Sequence, residues 1–326
     1  MKKIKWGILG TGKIAHKFAE DLLLSKNSVL FGVASRYKSK AKTFGKKFGA
    51  EKYYGSYQEL AQDAEIDIVY IATPHPFHYK NTLMCLEHNK HVLCEKPMGM
   101  NKNEVSDMIK TARSKKLFLM EAMWTRFIPA TDKMLQLISS GVIGKPFFVG
   151  ADFGFKAEVD WNGRIYNKKL GGGALLDIGI YPIFLALLVL GMPAEIKAVA
   201  RIAKSGVDTF CAMLFNFSEG EKAVLEATVE ADTPIEGYIY GEKGFLKLNS
   251  RFHHTRKITL NLYGKKPVVY KINYRGNGYF HEILEVEKCL TAGKTESDKF
   301  QLNNSLNLIE VIDRVRKEIG LFYEKT

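Results

Sequence analysis

The fold is decided by the stretch Gly10-Thr11-Gly12-Lys13-Ile14-Ala15. It follows a short apolar run at residues 4–9, and apolar residues at helical spacing come after it. In such a G-x-G-x-x-A fingerprint the first glycine permits a tight turn, the second lets the backbone approach a pyrophosphate, and the alanine allows close packing of helix on strand. A strand, a glycine turn and a helix in this order predict a dinucleotide-binding domain, with the pyrophosphate on the amides of the helix N-terminus.

The end of the next strand-like run indicates which dinucleotide is bound. Residues 29–34 lead into Ser35-Arg36, about 20 residues beyond the fingerprint, where an acid that binds the ribose is typical of NAD sites. No acid stands there, and a hydroxyl beside a guanidinium suits a 2′-phosphate. We therefore predict NADP, with NAD as the alternative if Arg36 only stacks on adenine. The expected contacts in these two segments are Gly10, Thr11, Gly12, Lys13, Ile14, Ser35 and Arg36.

Two later loops in the same region are expected to reach the cofactor. Strand and helix patterns alternate up to residue 122, which predicts a Rossmann domain over 1–122 with a doubly wound parallel sheet. Ligands bind at the carboxyl ends of such strands. The apolar run 67–72 ends in Thr73-Pro74-His75-Pro76-Phe77-His78, so we expect Thr73 and Pro74 beside the nicotinamide and His78 among the cofactor contacts. His75 and His78 are also candidate catalytic residues. For the histidines, ordinary loop polarity or a place in the first turn of a helix is the alternative.

The tripeptide Glu95-Lys96-Pro97 follows the strand-like run 91–94. Its position predicts that Glu95 and Lys96 lie where the cofactor and a substrate meet.

The pattern changes after residue 122. Strand-like runs separated by turn signals occupy residues 146–155, 195–203, 207–217, 222–231, 235–240, 245–248, 257–263 and 267–272. They predict an α+β domain over 123–326 with a large open, mainly antiparallel sheet, so the whole chain is of the α/β class. We expect helices on one face of that sheet and a second copy of the chain on the other, which makes a homodimer.

One stretch, 171–182, interrupts the strands with three glycines and an apolar helix. Asp177 and Tyr181 are spaced i and i+4, which places both on one helix face. A carboxylate and a phenol are costly to bury there without partners. The two residues are therefore candidate functional groups, and a satisfied core tyrosine with an acid near the helix start is the alternative.

The totals narrow the class of protein. The 326 residues predict two domains, and the net charge of +13 comes from lysines scattered among acids, without the long basic block typical of nucleic-acid binding. The charge-free run 178–190 is shorter than the ~20 residues of a membrane span and predicts a buried helix.

The N-terminal residues and the cysteines indicate the compartment. Residues 1–7 lack the features of a signal peptide. Four separated cysteines in apolar contexts predict reduced thiols and no metal site. We expect a cytoplasmic protein that binds neither membranes nor nucleic acids.

The fingerprint, Glu95-Lys96-Pro97 and the Asp177-x-x-x-Tyr181 helix, in this order, resemble the Gfo/Idh/MocA oxidoreductase family. The stretches 92–101, 121–127 and 176–181 are similar to its dimeric dihydrodiol dehydrogenase and NADP-dependent xylose dehydrogenase branch. The resemblance implies a Rossmann domain followed by a domain whose open sheet forms a dimer. It also implies that Lys96 and Tyr181 are the catalytic pair, where many members carry histidine in place of the tyrosine. Asp177 would hold substrate hydroxyls or orient the site, and the bond before Pro97 would often be cis.

The implied reaction moves a hydride between the nicotinamide and a carbinol or carbonyl carbon of a sugar, polyol or dihydrodiol. Tyr181 is the expected general acid/base. Its reference pKa of ~10 is high for neutral pH, and the ammonium of Lys96 nearby would lower the pKa by favouring the phenolate.

Substrate contacts and a second class of function complete the expectations. The weaker substrate candidates are Trp124, Phe153 and Phe280 as an apolar lip, and Arg126 and Arg164 as partners of a substrate oxygen. The alternatives are core aromatic residues and arginines paired with local acids. The alternative function is a non-catalytic NADP-binding regulatory protein on the same fold.

Overall fold

The computed structural model describes residues 3–323, which form two compact units. The first unit contains residues 3–128 and Arg275–Leu306, and the second contains Pro129–Tyr274 and residues 307–323. Residues 123–326 were predicted to form one domain, whereas the structure groups residues 275–306 with the first unit. The outer domain limits, 1 and 326, lie outside the described residues.

The first unit is built on alternating strands and helices. Their bounds are β1 Ile4–Leu9, α1 Lys13–Leu22, β2 Ser28–Ala34, α2 Lys38–Phe48, β3 Lys52–Tyr54, α3 Tyr57–Gln62, β4 Ile68–Ile71, α4 His78–Glu87, β5 His91–Glu95, α5 Lys102–Ser114 and β6 Leu119–Ala122. Within the described residues the strands form one sheet of order β3-β2-β1-β4-β5-β6, in which every pairing is parallel. This order confirms the predicted Rossmann sheet, whose ligand site lies at the carboxyl ends of the strands.

Local sequence explains why these elements begin where they do. The β4 strand consists of four buried apolar residues, as expected of a parallel strand covered on both faces. The side chains of Ser56 and Asn101 accept hydrogen bonds from the amides of Glu59 and Glu104, and so cap α3 and α5.

The second unit is built around a larger sheet. Its elements are α6 Pro129–Ser139, β7 Pro146–Gly154, a π-helical segment Leu175–Gly179, α7 Ile180–Leu190, β8 Glu195–Ile202, β9 Asp208–Asn216, β10 Lys222–Thr228, β11 Gly237–Gly241, β12 Gly244–Leu248, β13 Lys257–Leu262 and β14 Val268–Lys271. Within residues 3–323 the strand order is β14-β13-β12-β11-β7-β10-β9-β8. Only the described pair β7–β10 is parallel, so the predicted mainly antiparallel sheet is confirmed.

The core of the second unit lies where α7 packs against β7, β10 and β11. Side chains along β10 alternate between exposed and buried, which is the period-two pattern of a sheet covered on one face. The segment Lys168–Leu190, which includes the glycine loop, the π-helical segment and α7, is long and apolar enough to cross a bilayer, but 78% of its most apolar window is buried inside the protein. This burial is that of a core helix and confirms the predicted buried helix.

Two helices end the described chain, α8 Phe280–Thr291 and α9 Leu302–Glu318. The first belongs to the N-terminal unit, and the boundary between the units falls inside the second. The cysteines Cys85, Cys94, Cys211 and Cys289 are buried free thiols. Among residues 3–323, no group of three or more His, Cys, Asp or Glu side chains is placed to hold a metal ion.

Candidate active site

The glycine turn after β1 has the geometry that a dinucleotide requires. Gly10 has φ +98°, and a Cβ added there would lie 2.7 Å from the carbonyl oxygen of Ala72, so only glycine is accommodated. Gly12 precedes α1 without a side-chain cap, and open space surrounds the place of its missing Cβ. The first amides of α1 therefore lack a side-chain acceptor, which fits a pyrophosphate bound at this helix N-terminus.

The Ser35-Arg36 pair lies beside this turn. The amide of Gly10 donates to the carbonyl of Ala34 at 3.0 Å, so the ends of β1 and β2 are adjacent. Ser35 is buried and Arg36 is exposed. Thr11 and Ile14 are half-buried in the turn, and Lys13 is exposed. An exposed guanidinium one strand away from the phosphate turn is suitably placed for a ribose phosphate.

His78 joins the loops that follow β4 and β5. Its ring is fully buried, with Nε2 2.7 Å from the carbonyl oxygen of Thr73 and Nδ1 2.8 Å from that of Pro97. A carbonyl only accepts, so each contact is a hydrogen bond when the ring nitrogen facing it carries a proton. The structure thus places His78 behind the predicted cofactor loops as a link between them, and Thr73 and Pro74 lie at the loop that it holds.

Glu95 and Lys96 stand at the end of β5 and are held by neighbouring strands. The Glu95 carboxylate accepts from the Tyr70 hydroxyl on β4 and from the amide of Lys96. Lys96 is half-buried, and the Lys96–Pro97 peptide bond is cis, as the family resemblance implied. On the other side of β5, the amide of Met98 donates to Glu121 on β6 at 2.9 Å.

Two buried acids around this strand end were missed by sequence reasoning. Burial raises the pKa of Glu121 to about 7, against the opposing effect of the Met98 amide. Burial also raises the pKa of Glu282 on α8 well above its usual value, and the charges of Glu95 and Asp21 add to the rise. An acid inside the apolar strand 119–122 was a signal that could have been used. Glu282 gave no such signal, because α8 reaches this unit only through the tertiary fold.

The aromatic and arginine candidates of the first unit have local partners. The Trp124 ring stacks on Tyr279 with centroids 4.8 Å apart. The Arg126 Nε atom donates to the carbonyl of Lys299 at 2.9 Å. Phe280 is buried at the first position of α8. Trp124 and Phe280 are therefore core-packed, and Arg126 has a backbone partner in Lys299.

In the second unit, Asp177 is paired with Arg164. The guanidinium donates to the carboxylate at 2.8 Å, with the arginine side chain 44% exposed and the aspartate 11%. Two residues predicted separately for the site are thus brought together. Arg164 also has the local acid that the sequence analysis gave as its alternative partner.

Tyr181 lies in a cluster of three rings. Its ring centroid is 5.6 Å from Phe153 and 4.9 Å from His253, and the last two rings stack at 4.5 Å. Phe153 was predicted, whereas His253 was missed. Tyr181 follows the π-helical segment that carries Asp177, where the sequence predicted a continuous α-helix. Lys96 belongs to the first unit and Tyr181 to the second, and their catalytic pairing stays a prediction.

A parallel sheet with a glycine phosphate turn, followed by a second unit with a buried acid and phenol, defines the class of NAD(P)-dependent oxidoreductases. Family models agree with this class. Residues 4–123 match an oxidoreductase family with an NAD-binding Rossmann fold, and residues 131–247 match the GFO/IDH/MocA C-terminal domain.

Full-length relatives extend the match. The trans-1,2-dihydrobenzene-1,2-diol dehydrogenase of Danio rerio is 38% identical over 331 residues, covering 99% of this chain and 98% of that protein. The chain therefore belongs to the Gfo/Idh/MocA oxidoreductase family.

Solved structures share the whole fold. A 3-ketoreductase from Actinomadura kijaniata, in complex with NADP and TDP-benzene, superposes with a TM-score of 0.88 at 26% identity, covering 98% of each chain. A tyrosine-to-phenylalanine variant of that ketoreductase has also been solved with the same ligands. An aldose–aldose oxidoreductase from Caulobacter crescentus, complexed with glycerol, has a TM-score of 0.89 at 24% identity over 98% of each chain, which shows the common fold.

The chain is thus an enzyme, an NAD(P)-dependent oxidoreductase, and the alternative of a non-catalytic regulatory protein is set aside.

Proposed function

We propose that the enzyme is an NADP-dependent oxidoreductase acting on a carbinol or carbonyl carbon of a sugar, polyol or dihydrodiol, with Tyr181 as acid/base. The observation that carries the proposal is the presence of two polar side chains, those of Asp177 and Tyr181, on a buried and otherwise apolar helical segment. Asp177 is ion-paired with Arg164, and Tyr181 follows it within a wall of aromatic rings. Such a combination of apolar wall and few oriented polar groups is typical of a small-molecule site.

The proposed chemistry divides between proton and hydride. Tyr181 takes the hydroxyl proton during oxidation and returns it during reduction. The ammonium of Lys96 stabilises the phenolate form of Tyr181, which accepts the proton in oxidation and is left after reduction, and Asp177, oriented by Arg164, accepts hydrogen bonds from neighbouring substrate hydroxyls. When bound, the nicotinamide cofactor accepts or delivers the hydride. The buried ring cluster of Phe153, Tyr181 and His253 limits the access of water to the reacting carbon.

The preference for NADP rests on the end of β2. An exposed Arg36 beside Ser35, in place of an acid, favours a ribose phosphate. The similar ketoreductase from Actinomadura kijaniata binds NADP. We assign the cofactor to the first unit, which holds both the phosphate turn and the residues Thr73, Pro74, Glu95 and Lys96.

The substrate class rests on the second unit and on the relatives. Phe153, Tyr181 and His253 form a cluster of aromatic rings beside hydrogen-bonding groups, which suits a ring that carries adjacent hydroxyls. The relative from Danio rerio is named for a dihydrodiol of benzene. A cyclic vicinal diol, aromatic-derived or sugar, is therefore the proposed substrate, bound by the second unit.

The test combines a substrate panel with two variants. NADP⁺ and NAD⁺ are each assayed with trans-1,2-dihydrobenzene-1,2-diol, D-xylose and other aldoses and polyols. We expect Lys96→Met and Tyr181→Phe to abolish turnover while NADPH still binds, because neither substitution touches the phosphate turn. The matched controls are Lys110→Met and Tyr263→Phe, which change exposed side chains. Near-normal turnover in both site variants would contradict the proposal.

We also propose a cytoplasmic homodimer formed through the uncovered face of the second sheet. Val199, Leu214 and Val224 lie on adjacent strands and are 68%, 42% and 53% exposed. Exposed apolar side chains in one patch of a sheet suit a second copy of the same face. Sedimentation should give a dimer for the native chain and a monomer for Val224→Glu. The control Val159→Glu, at an exposed loop position, should remain dimeric, and a monomeric native chain would contradict this proposal.

A further inference from the structure

A buried carboxylate from a neighbouring strand caps the helix that carries the predicted catalytic groups. Asp208, the first residue of β9, is fully buried. Its Oδ2 atom accepts a hydrogen bond from the amide of Leu175 at 2.7 Å. Leu175 begins the π-helical segment, and the residue before it supplies no side-chain cap. The cap therefore comes from 33 residues further along the chain.

The glycine loop before the helix is shaped around this carboxylate. Gly173 has φ +118°, and a Cβ added there would lie 2.3 Å from Oδ1 of Asp208. A Cβ on Gly172 would lie 2.5 Å from the carbonyl oxygen of Ile165, and the carbonyl of Gly172 accepts from the Tyr323 hydroxyl. Two of the three glycines are thus required by close packing, one of them directly against Asp208.

The buried surroundings of Asp208 disfavour the ionised form of its carboxyl group. The titratable or charged groups that face Asp208 are Arg316 on α9, Tyr323 near the end of the described chain, and Cys211 on its own strand. Burial raises the pKa of Asp208 to about 7, although the amides of Leu175 and Ala174 and the charge of Arg316 oppose the rise. Burying a carboxylate in this way lowers the stability of the fold at neutral pH, so we expect Asp208 to have a local structural role.

The helix that it caps is irregular at the functional positions. Asp177 lies inside the π-helical segment and Tyr181 just after it. The π-helical turn has more residues per turn than an α-helix, so relaxation to α-helix would change the angle between these two side chains. Single π-helical turns inside helices are frequently found at functional sites.

We propose that Asp208 is a positioning residue, which holds the start of the π-helical segment and so sets the orientation of Asp177 toward Tyr181. The inference rests on the proposed roles of those two residues for its effect on turnover, but not for its effect on the helix. It adds to the site a group that touches neither substrate nor cofactor.

The test compares three variants by two readouts. Asp208→Ala removes the acceptor, Asp208→Asn keeps an acceptor oxygen without the charge, and Ser56→Ala removes a helix cap in the other unit as the control. Hydrogen exchange of residues 174–181 reports the helix start directly. Steady-state turnover with NADP⁺ and trans-1,2-dihydrobenzene-1,2-diol or D-xylose reports the site.

We expect Asp208→Ala to speed exchange of residues 174–181 and to lower kcat about tenfold or more, with the KM for NADP⁺ within about twofold. Asp208→Asn should restore most of both, because its side-chain oxygen can accept from Leu175. Ser56→Ala should lower thermal stability without either effect. A general loss of stability would not produce this division between kcat and KM.

A second substitution approaches the same contact from the other side. Gly173→Ala drives a methyl group into the Asp208 carboxylate, whereas Gly220→Ala has φ +94° and nothing within 4 Å of the added atom. Both variants carry the backbone cost of a positive φ, and only the first should speed exchange at 174–181. This pair decides the question if Asp208→Ala fails to fold.

The outcomes separate this inference from the proposed function. Unchanged exchange and unchanged kcat in Asp208→Ala would overturn the inference, as would an Asp208→Asn variant as impaired as Asp208→Ala. Full turnover in Tyr181→Phe would overturn the proposed function alone, since the exchange measurement still decides whether Asp208 holds the helix.

Discussion

Arg164 donates to the Asp177 carboxylate at 2.8 Å, from a loop that precedes the glycine run to a helix that follows it. The carboxylate is nearly buried and the guanidinium is about half exposed. An exposed guanidinium contributes little to folding through such a pair. It does fix the direction in which the Asp177 oxygens face, which matters for a group proposed to hold substrate hydroxyls.

Replacement of Arg164 should therefore affect binding and turnover more than stability. We expect Arg164→Ala to lower kcat/KM about tenfold, which is about 1.4 kcal/mol of transition-state stabilisation, while thermal unfolding shifts little. Arg113→Ala is the matched control, because Arg113 makes an exposed ion pair with Glu296 at 3.3 Å. Equal losses of activity in the two variants would exclude a specific role for Arg164.

The phosphate turn allows a sharper test of the cofactor site. Gly10→Ala places a methyl group 2.7 Å from the carbonyl oxygen of Ala72, at φ +98°. We expect a large loss of NADPH affinity, measured by fluorescence titration, because the turn must open. Gly49→Ala is the control, with φ +73° and no atom within 4 Å of the added Cβ. Its cost should be only the ~1 kcal/mol of a left-handed alanine, with cofactor affinity unchanged.

Arg36 should determine the choice between the two cofactors. Arg36→Ala removes the exposed guanidinium at the end of β2, so we expect the KM for NADP⁺ to rise about tenfold or more, as for a charge-assisted hydrogen bond. The KM for NAD⁺ should change little. Lys40→Ala is the control, since the Lys40 ammonium lies over the Tyr37 ring at 5.2 Å. A parallel rise for both cofactors would show that Arg36 stacks on adenine instead.

His78 should stabilise the two loops that it joins. His78→Phe leaves the carbonyls of Thr73 and Pro97 without this partner in a buried place, so we expect a loss on the order of 2 kcal/mol or more in the free energy of unfolding. The control His88→Phe removes a half-buried ring that contacts the carbonyl of Met84 at 2.8 Å. Denaturant unfolding compares them, and an equal loss in both would refute the linking role.

The buried acids make stability depend on pH in a defined direction. The pKa of Glu121 is about 7 in the folded chain against a usual 4.5, so the folded state keeps a proton that the unfolded state has lost. Stability from this group is fully present below pH 4.5 and is lost as the pH rises through about 7. We expect the melting temperature of Glu121→Gln to fall less than that of the native chain as the pH rises from 4.5 to about 7. The exposed-site control Glu158→Gln should leave the fall unchanged.

Much of the fold was predictable because its signals are local. The Gly10–Ala15 fingerprint, the all-apolar β4 and the caps Ser56 and Asn101 each depend on residues a few positions apart. Two features of the fold depend on distant segments and were not predicted from the sequence. Residues 275–306 belong to the first unit. The amide of Leu175, at the start of the π-helical segment, donates to the side chain of Asp208. Neither contact leaves a trace in the periodicity of the local sequence.

The features of the candidate site also divide into those that the sequence predicted and those that only the structure showed. The types of residue at positions 96, 177 and 181 were evident from motif and resemblance, and Arg164 was a candidate without an assigned partner. Three contacts became visible only in the structure. Asp177 pairs with Arg164, the His253 ring lies beside Tyr181, and His78 contacts two backbone carbonyls.

By itself, the sequence determined the two kinds of sheet, the place of the phosphate turn and the family of the enzyme, because backbone preference and hydrophobic period are properties of neighbouring residues. Only the tertiary structure decided which buried acids keep their protons, which carbonyls His78 joins and which strand caps the helix of Asp177 and Tyr181. Those features depend on burial and on hydrogen-bond partners that lie far apart in the chain, and folding alone brings them together.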